Sequence, residues 1–328
     1  MKDEFEFIKR ITPAKKNQQS ITVGIGDDAA VYEAKQGFEQ VVCVDTMVEG
    51  IHFRKDTLLP KHIGYKALAI NISDLAAMGA VPLYYLVSIA IPPHWSDNEI
   101  DDIYRGMTQL AENYKMDLLG GDTVSTDDKL VISVTALGHV EKGSALLRSH
   151  AKPDDIVFVT GVVGHSAAGL DLLFKHGVHA KFTPNEKVLV GKHQMPMPQI
   201  EAGRCFISSQ LRMALNDISD GVASEAHEIA EASEVTLLIE ADKIPTGMEL
   251  ECYSREKQLE YALFGGEDFQ LIGTVQQKEW QRLNDTCEKH GIILTAIGYV
   301  EEGEAGVFLM DNGKKRKVDK KGYNHFKK

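Results

Sequence analysis

The sequence predicts an α/β (α+β) chain of two domains, and three observations carry that expectation. Its 328 residues suit two domains of ordinary size. Runs rich in β-branched residues alternate with segments of 3.6-residue apolar period. A second series of the same kind opens at AKPDDIVFVTG, where Pro153 and two acids lead into a strand. A hydrophobic share of 43% against 26% charged residues is enough to bury a sizeable core in each domain.

In chain order, strands are expected at 20–23 and 41–45, then a helix over 61–79 that stops at Gly79, because glycine accepts the left-handed backbone at a helix end. A strand at 83–91, a helix at 96–115 and a strand at 130–140 complete a first domain, 1–147. The second, 148–328, starts with a strand at 156–160, a glycine-rich turn at 161–164 and a helix from His165. MALNDISDG reads as strand, turn and helix, with Ser219 or Asp220 placed to cap a helix over 221–231. Strands recur at 235–239, 269–275 and 292–300. The Lys/Arg-rich tail from Lys314 to Lys328 reads as a solvated terminus.

Several function classes are excluded early. The longest apolar run, 83–93, is broken by Ser88 and ends in two prolines, far short of the about 20 residues a membrane-spanning helix needs. MKDEFEFIKR mixes acids and bases and lacks an apolar signal core, so a cytoplasmic protein is expected. Cys43, Cys205, Cys252 and Cys287 are scattered without a CxxC pair, consistent with reduced thiols. A net charge of −12 argues against a nucleic-acid partner. That charge serves either solubility or the holding of cations, and only the positions of the acids separate the two.

Several acids sit where solvated acids do not belong. In KHIGYKALAINISDLAAMGA, Ile63, Ala67, Ile70 and Ala77 form one stripe with Asp74 at its centre. A carboxylate facing a core is costly unless paired or bound to metal. The plain alternative is a buried carboxylate bonded to a backbone turn; the pattern favours function. Asp45 closes the strand VVCVD before a polar loop. GIGDDAAV places Asp27 and Asp28 after two glycines, LLGGDTVS sets Asp122 after a short apolar run and two glycines, ALNDISDG supplies Asp217 and Asp220, and LFGGEDF supplies Glu267 and Asp268. Each Gly-Asp pair alone is an ordinary turn. Together they share one chemistry, hard oxygen ligands beside a backbone that comes close to a ligand.

No HExxH or CxxC pair suits zinc, and the twelve histidines are dispersed. Carboxylates suit magnesium or manganese, which keep water and substrate phosphates in their shells. No P-loop, GxGxxG fingerprint or HRD/DFG set occurs. An ATP site would therefore lean on metal ions bridging carboxylates to phosphates. Arg148 stands at the domain junction, either to close on a triphosphate or as a plain surface arginine.

In order, GIGDDAAV, VDTMVEGIHF, GYKALAINISDLAAMGA, LLGGDT, RSHAKPDD, DISDG and GGEDF closely resemble the thiamine-monophosphate kinase family, part of the ATP-using aminoimidazole ribonucleotide synthetase superfamily. The likeness runs from about residue 5 to KGYNHF, nearly the whole chain. It implies an N-terminal sheet pairing with that of a second subunit, a C-terminal α/β domain beside it and an active site in the cleft between, hence a homodimer. It further implies that Asp28, Asp45, Asp74, Asp122, Asp217 and Asp220 bind several Mg2+ ions. Gly121, Asp122, Arg148, Ser219 and Tyr104 are implied to contact ATP, and His52, Glu267 and Tyr323 thiamine monophosphate, with Asp74, Asp122 and Arg148 closest to the chemistry. Where some members carry hydroxyl side chains before the Asp45 position, this chain has Cys43 and Val44, which leaves only backbone carbonyls there.

The reaction so implied is direct in-line transfer of the ATP γ-phosphoryl to a phosphate already ionised at neutral pH, so no side chain need remove a proton. Two rivals stand beside it. One is another ATP-dependent enzyme of the superfamily; a selenophosphate synthetase, for one, would want a reactive cysteine near the N-terminus, and the first here is Cys43. The other is a non-catalytic nucleotide-binding protein, which would have lost site acids.

Overall fold

A computed structural model describes residues 4–13, 15–26 and 28–320. The chain forms two compact units. One holds residues up to 75, 80–143 and 176–180; the other holds 76–79, 144–175 and 181 onward.

The first unit begins with α1 (Glu4–Ile11) and a short antiparallel pair, β1 (Ile21–Val23) and β2 (Val31–Tyr32). Then come β3 (Phe38–Val48), α2 (Pro60–Ala77), β4 (Val81–Ile91), α3 (Asp97–Tyr114), β5 (Asp117–Ser125) and β6 (Val131–Glu141). The four longer strands form one sheet in the order β3-β6-β4-β5. Its single parallel pair, β4 and β5, is joined through α3, as parallel neighbours require a crossover.

Helix α2 is buried nearly all round, Lys66, Asn71 and Ser73 included, so the single stripe read from its sequence is too narrow. Leu68, Ala69 and Ile72 are fully buried while Ile70 is only half-buried. Two glycines let α2 and α3 touch backbone to backbone: a Cβ on Gly64 would lie 1.8 Å from the Ile103 carbonyl oxygen, and one on Gly106 1.9 Å from that of Lys61. Helix α2 ends as expected at Gly79 (φ +68°), where the Gly79 and Ala80 N–H groups donate to the Ala76 and Leu75 carbonyls.

The second unit contains β7 (Asp155–Thr160), α4 (His165–His176), α5 (Pro184–Gln194), α6 (Ile200–Ser209), β8 (Met213–Asp217), α7 (Val222–Ser233) and β9 (Thr236–Glu240). It continues with α8 (Arg255–Phe264), β10 (Leu271–Gln276), α9 (Trp280–Lys289), β11 (Leu294–Glu301), β12 (Gly306–Asp311) and β13 (Lys314–Val318). Seven strands make one sheet, β13-β12-β9-β11-β7-β10-β8, antiparallel except between β9 and β12. Val157, Val159, Ile218, Val222, Ile229, Leu237 and Ile272 pack as its core. Asp155, buried at the start of β7, is held by Arg212 through paired hydrogen bonds of 2.6 and 2.8 Å.

Four local expectations are corrected. Strand β3 pairs with β6 over its whole length, so Asp45 lies mid-strand rather than at a strand end. Helix α7 has Gly221 as its N-cap, without a side-chain cap from Ser219 or Asp220. The segment holding Asp122 is strand β5, where only a turn was read. Lys314 does not open a solvated tail: Asp311 pairs with Lys314 across Asn312 and Gly313, both at positive φ, a two-residue hairpin turn that makes β13 an edge strand.

Candidate active site

In the first unit, Cys43 and Asp45 are two residues apart on β3 and share one face of it. Cys43 Sγ donates to the Asn71 carbonyl of α2 at 3.3 Å. One helical turn further along α2, the Asp74 carboxyl hydrogen-bonds both Asp45 and Cys43. Burial holds the Asp45 carboxyl above its ordinary range even though the Asp74 bond works the other way. Burial, then the charges of Asp74 and Asp45, push the Cys43 thiol up, so it stays protonated. Two half-buried carboxylates this close need a proton or a cation between them, and oxygen-only donors fit magnesium.

Asp122 is exposed on β5, in register with Ser88. Gly121 beside it admits no side chain, since a Cβ would lie 1.9 Å from the Val87 carbonyl oxygen. Asp28 is exposed after Gly26, and Asp27 lies outside the described residues. Tyr104 is 6% exposed on the core face of α3, and burial raises its phenol. Among the described residues, no three His, Cys, Asp or Glu side chains stand close enough to hold a metal ion by themselves. A cation docked on the Asp45–Asp74 pair would take its other ligands from water and phosphate, as magnesium does.

His52 follows β3 in a tight turn. Its Nδ1 accepts from the Val48 N–H at 2.9 Å, so in the neutral ring the proton sits on Nε2. Glu49 braces this turn by accepting from the Leu130 N–H and the Trp95 indole, both at 3.0 Å. Burial raises the Glu49 carboxyl, but these donors and His94 outweigh it and the net shift is downward.

The second unit brings Arg148, Asp217, Ser219, Asp220 and Glu267 together. Strands β8 and β10 are neighbours, with Asp217 opposite Leu271, so the loop leaving β8 and the loop entering β10 run side by side. The Glu267 N–H donates to the Ser219 carbonyl at 2.7 Å and the Phe269 N–H to that of Ile218 at 2.9 Å. Arg148 is brought to β8 by a backbone bridge between Leu147 and Ala214.

Between Glu267 and Phe269, both at positive φ, Asp268 accepts from the Gly164 and Ser166 N–H groups at the start of α4, at 2.6 and 3.0 Å. That anchor holds the strained segment. Burial pushes the Asp268 carboxyl up to about 7, against the pull of those donors and Lys192. The Glu267 carboxylate lies 3.3 Å from Nδ1 of buried His193, which also meets Ser166 Oγ at 3.1 Å. Tyr323 lies outside the described residues.

Three residues of this half carry no sequence signal of their own. His193 is one. The others are Asn216, which Arg148 Nε reaches at 2.9 Å, and Glu225, whose carboxylate accepts from the Asn216 side chain at 2.5 Å. Burial, then the Asp217 charge, push the Glu225 carboxyl up to about 8. The Asn216 neighbour of Asp217 in ALNDISDG was the one available hint.

Comparison with known proteins adds the family. Residues 26–140 match AIR synthase related protein, N-terminal domain, and residues 152–311 match AIR synthase related protein, C-terminal domain. The chain is 50% identical over 327 residues to the thiamine-monophosphate kinase of Bacillus subtilis (strain 168), covering 99% of this chain and 100% of that one. It is 33% identical to the thiamine-monophosphate kinase of Escherichia coli (strain K12), covering 98% of each. Among solved structures, thiamine-monophosphate kinase from Stenotrophomonas maltophilia K279a superposes with a TM-score of 0.83 at 32% identity, over 90% of this chain and 92% of that one. AaThiL complexed with AMPPCP and TMP gives 0.78 at 34% identity, over 92% of each chain.

Proposed function

We infer the course of the reaction from one premise: this chain belongs to the AIR synthase related family and, within it, to the thiamine-monophosphate kinases, phosphotransferases that use ATP. The activity is transfer of a phosphoryl group from ATP to thiamine monophosphate, giving thiamine diphosphate. A related structure holds AMPPCP together with TMP, which supports two phosphate-bearing ligands bound at once.

The obstacle is electrostatic, because an anionic phosphate must approach an anionic triphosphate. Magnesium, when bound, would neutralise that repulsion. In the first unit Asp28, Asp45, Asp74 and Asp122 are the ligands we assign to it; in the second, taken by itself, Asp217 and Asp220 are assigned the same role. The pairing of Asp45 with Asp74 carries this reading, since two carboxylates folded against each other invite a cation. Gly121 lets the backbone come close to phosphate, Ser219 stands in the turn that leaves β8, and Arg148 offers a planar donor set to the polyphosphate. Tyr104 would meet the nucleotide only by its exposed edge. His52 presents Nε2–H toward the acceptor, while Glu267 supplies a carboxylate for the cationic thiazolium, with Tyr323 as a further contact.

Strand β3 supports the reading that the chain self-associates. It is an edge strand with Val42 and Val44 exposed at 66% and 62%, a surface suited to a second copy of the chain. Among the described residues no helix is long and apolar enough to cross a membrane. The test is an assay for thiamine diphosphate formed by the purified protein with ATP and magnesium, with thiamine replacing the monophosphate as control. Product from thiamine monophosphate alone, lost on chelation with EDTA, is the expected result. Equal turnover of thiamine, or no dependence on divalent cation, overturns the reading.

A further inference from the structure

Glu225 is a carboxylate only 4% exposed, yet every hydrogen bond drawn to it comes from the same small region. The Asn216 side-chain amide donates to one oxygen at 2.5 Å. The Ser219 hydroxyl, at 3.3 Å, and the Asp220 backbone N–H, at 3.1 Å, donate to the other. Asn216, itself 2% exposed, turns its carbonyl oxygen to Arg148 Nε at 2.9 Å. Arg148 Nη1 reaches Glu228 at 3.2 Å, so two of the five guanidinium N–H groups are taken in this way. The head of the half-exposed arginine is thereby fixed in plane.

We propose that Glu225 and Asn216 are positioning residues, a buried relay that fixes the spacing and orientation of Arg148 relative to the Ser219–Asp220 turn for a nucleotide polyphosphate. The inference rests on the reading above in which Arg148 and Ser219 face ATP. A buried acid is costly, and a residue needed only for packing would be apolar. A helix-end role is the competing account, because Glu225 lies in the first turn of α7, where the helix dipole favours a carboxylate. That account requires nothing of Asn216 or Arg148. The relay does, because its bonds have a direction: the amide must donate to Glu225 and accept from Arg148.

The direction makes a polarity swap decisive. Glu225→Gln either sets an NH2 against the Asn216 NH2 or against the Ser219 and Asp220 donors. Asn216→Asp removes the amide N–H that Glu225 accepts and sets a second carboxyl against it. In the double variant Asn216→Asp/Glu225→Gln every bond can form again: the new carboxylate accepts from Arg148 and from the new amide, whose carbonyl accepts from Ser219 and Asp220. The number of carboxyl groups is unchanged from wild type.

The experiment measures binding of a non-hydrolysable ATP analogue with magnesium by calorimetry, alongside the melting temperature of each unliganded protein. Each single variant should lose about tenfold or more in affinity, and the double variant should recover to within about threefold of wild type. In turnover, KM for ATP should rise in the singles while KM for thiamine monophosphate stays put. Unchanged affinity in the singles, or a double variant no better than they are, overturns the relay. So does a drop in melting temperature with unchanged affinity, which is what a merely structural helix-end acid predicts. Arg148→Ala and Ser219→Ala separate the two levels. If both bind the analogue as wild type does, the ATP-facing reading fails and takes the relay with it. If both weaken binding while the swap series does not move, the relay alone fails.

Discussion

Asp74 lies one helical turn beyond Asn71, and that spacing aims it at the face of β3 that carries Cys43 and Asp45. Removing one electrostatic stabiliser from a phosphoryl-transfer site costs about 10²–10³ in rate. Asp74→Asn and Asp122→Asn should each cost that much in thiamine diphosphate formation while circular dichroism stays that of wild type. Wild-type-like turnover in either would remove that residue from the assigned set. Asp268 makes a prediction of different kind. Its folded carboxyl titrates at about 7, whereas an unfolded aspartate titrates near about 4. Between those values the folded state holds a proton that the unfolded chain has released, so this residue's contribution to stability falls as pH rises through that window. The melting temperature of Asp268→Asn should therefore depend less steeply on pH between 5 and 7 than wild type, on the order of the window those two values define. Parallel profiles would show that Asp268 does not titrate there.

At the scale of elements, the contact of α2 with α3 turns on glycine. Replacing an exposed helical glycine by alanine normally stabilises by about 1 kcal/mol. At Gly106 the added methyl would sit 1.9 Å from the Lys61 carbonyl oxygen and 2.7 Å from the Tyr65 nitrogen, both backbone atoms that cannot turn aside. Overpacking of this sort costs about 1–3 kcal/mol, so Gly106→Ala should lower the urea midpoint; a raised midpoint would show that the helices can part without loss. Element identity was largely open to reading, because period and breakers mark it locally. The hairpin Asn312–Gly313 was equally legible in DNGK but was masked by the basic residues after it, which sit on an edge strand where lysine is common. The length of β3 was not legible, since its ends are set by eleven residues paired with β6 rather than by its own pattern.

For the whole molecule, the first unit's sheet ends on β3 with two exposed valines, and a second copy of the chain is the occupant we assign to that edge. Val44→Lys should shift the protein toward monomer in sedimentation velocity, and an unchanged dimer would place the interface elsewhere. The division of the chain into two units is not a single cut. Residues 76–79 leave the first unit for the second, and 176–180 return to the first. No composition change marks either crossing. The sequence by itself determined the α/β class, the order of most elements, the family motifs and the acids worth testing, because periodicity, glycine placement and misplaced charge are local properties of the chain. Tertiary structure alone decided that Asp45 meets Asp74, that Asp268 anchors a strained turn, and that Arg148, Asn216, Glu225 and Ser219 form one connected row. Those contacts join residues up to 104 positions apart, and the buried hydrogen-bond partner of a side chain is fixed by which strands become neighbours, a choice no single segment makes.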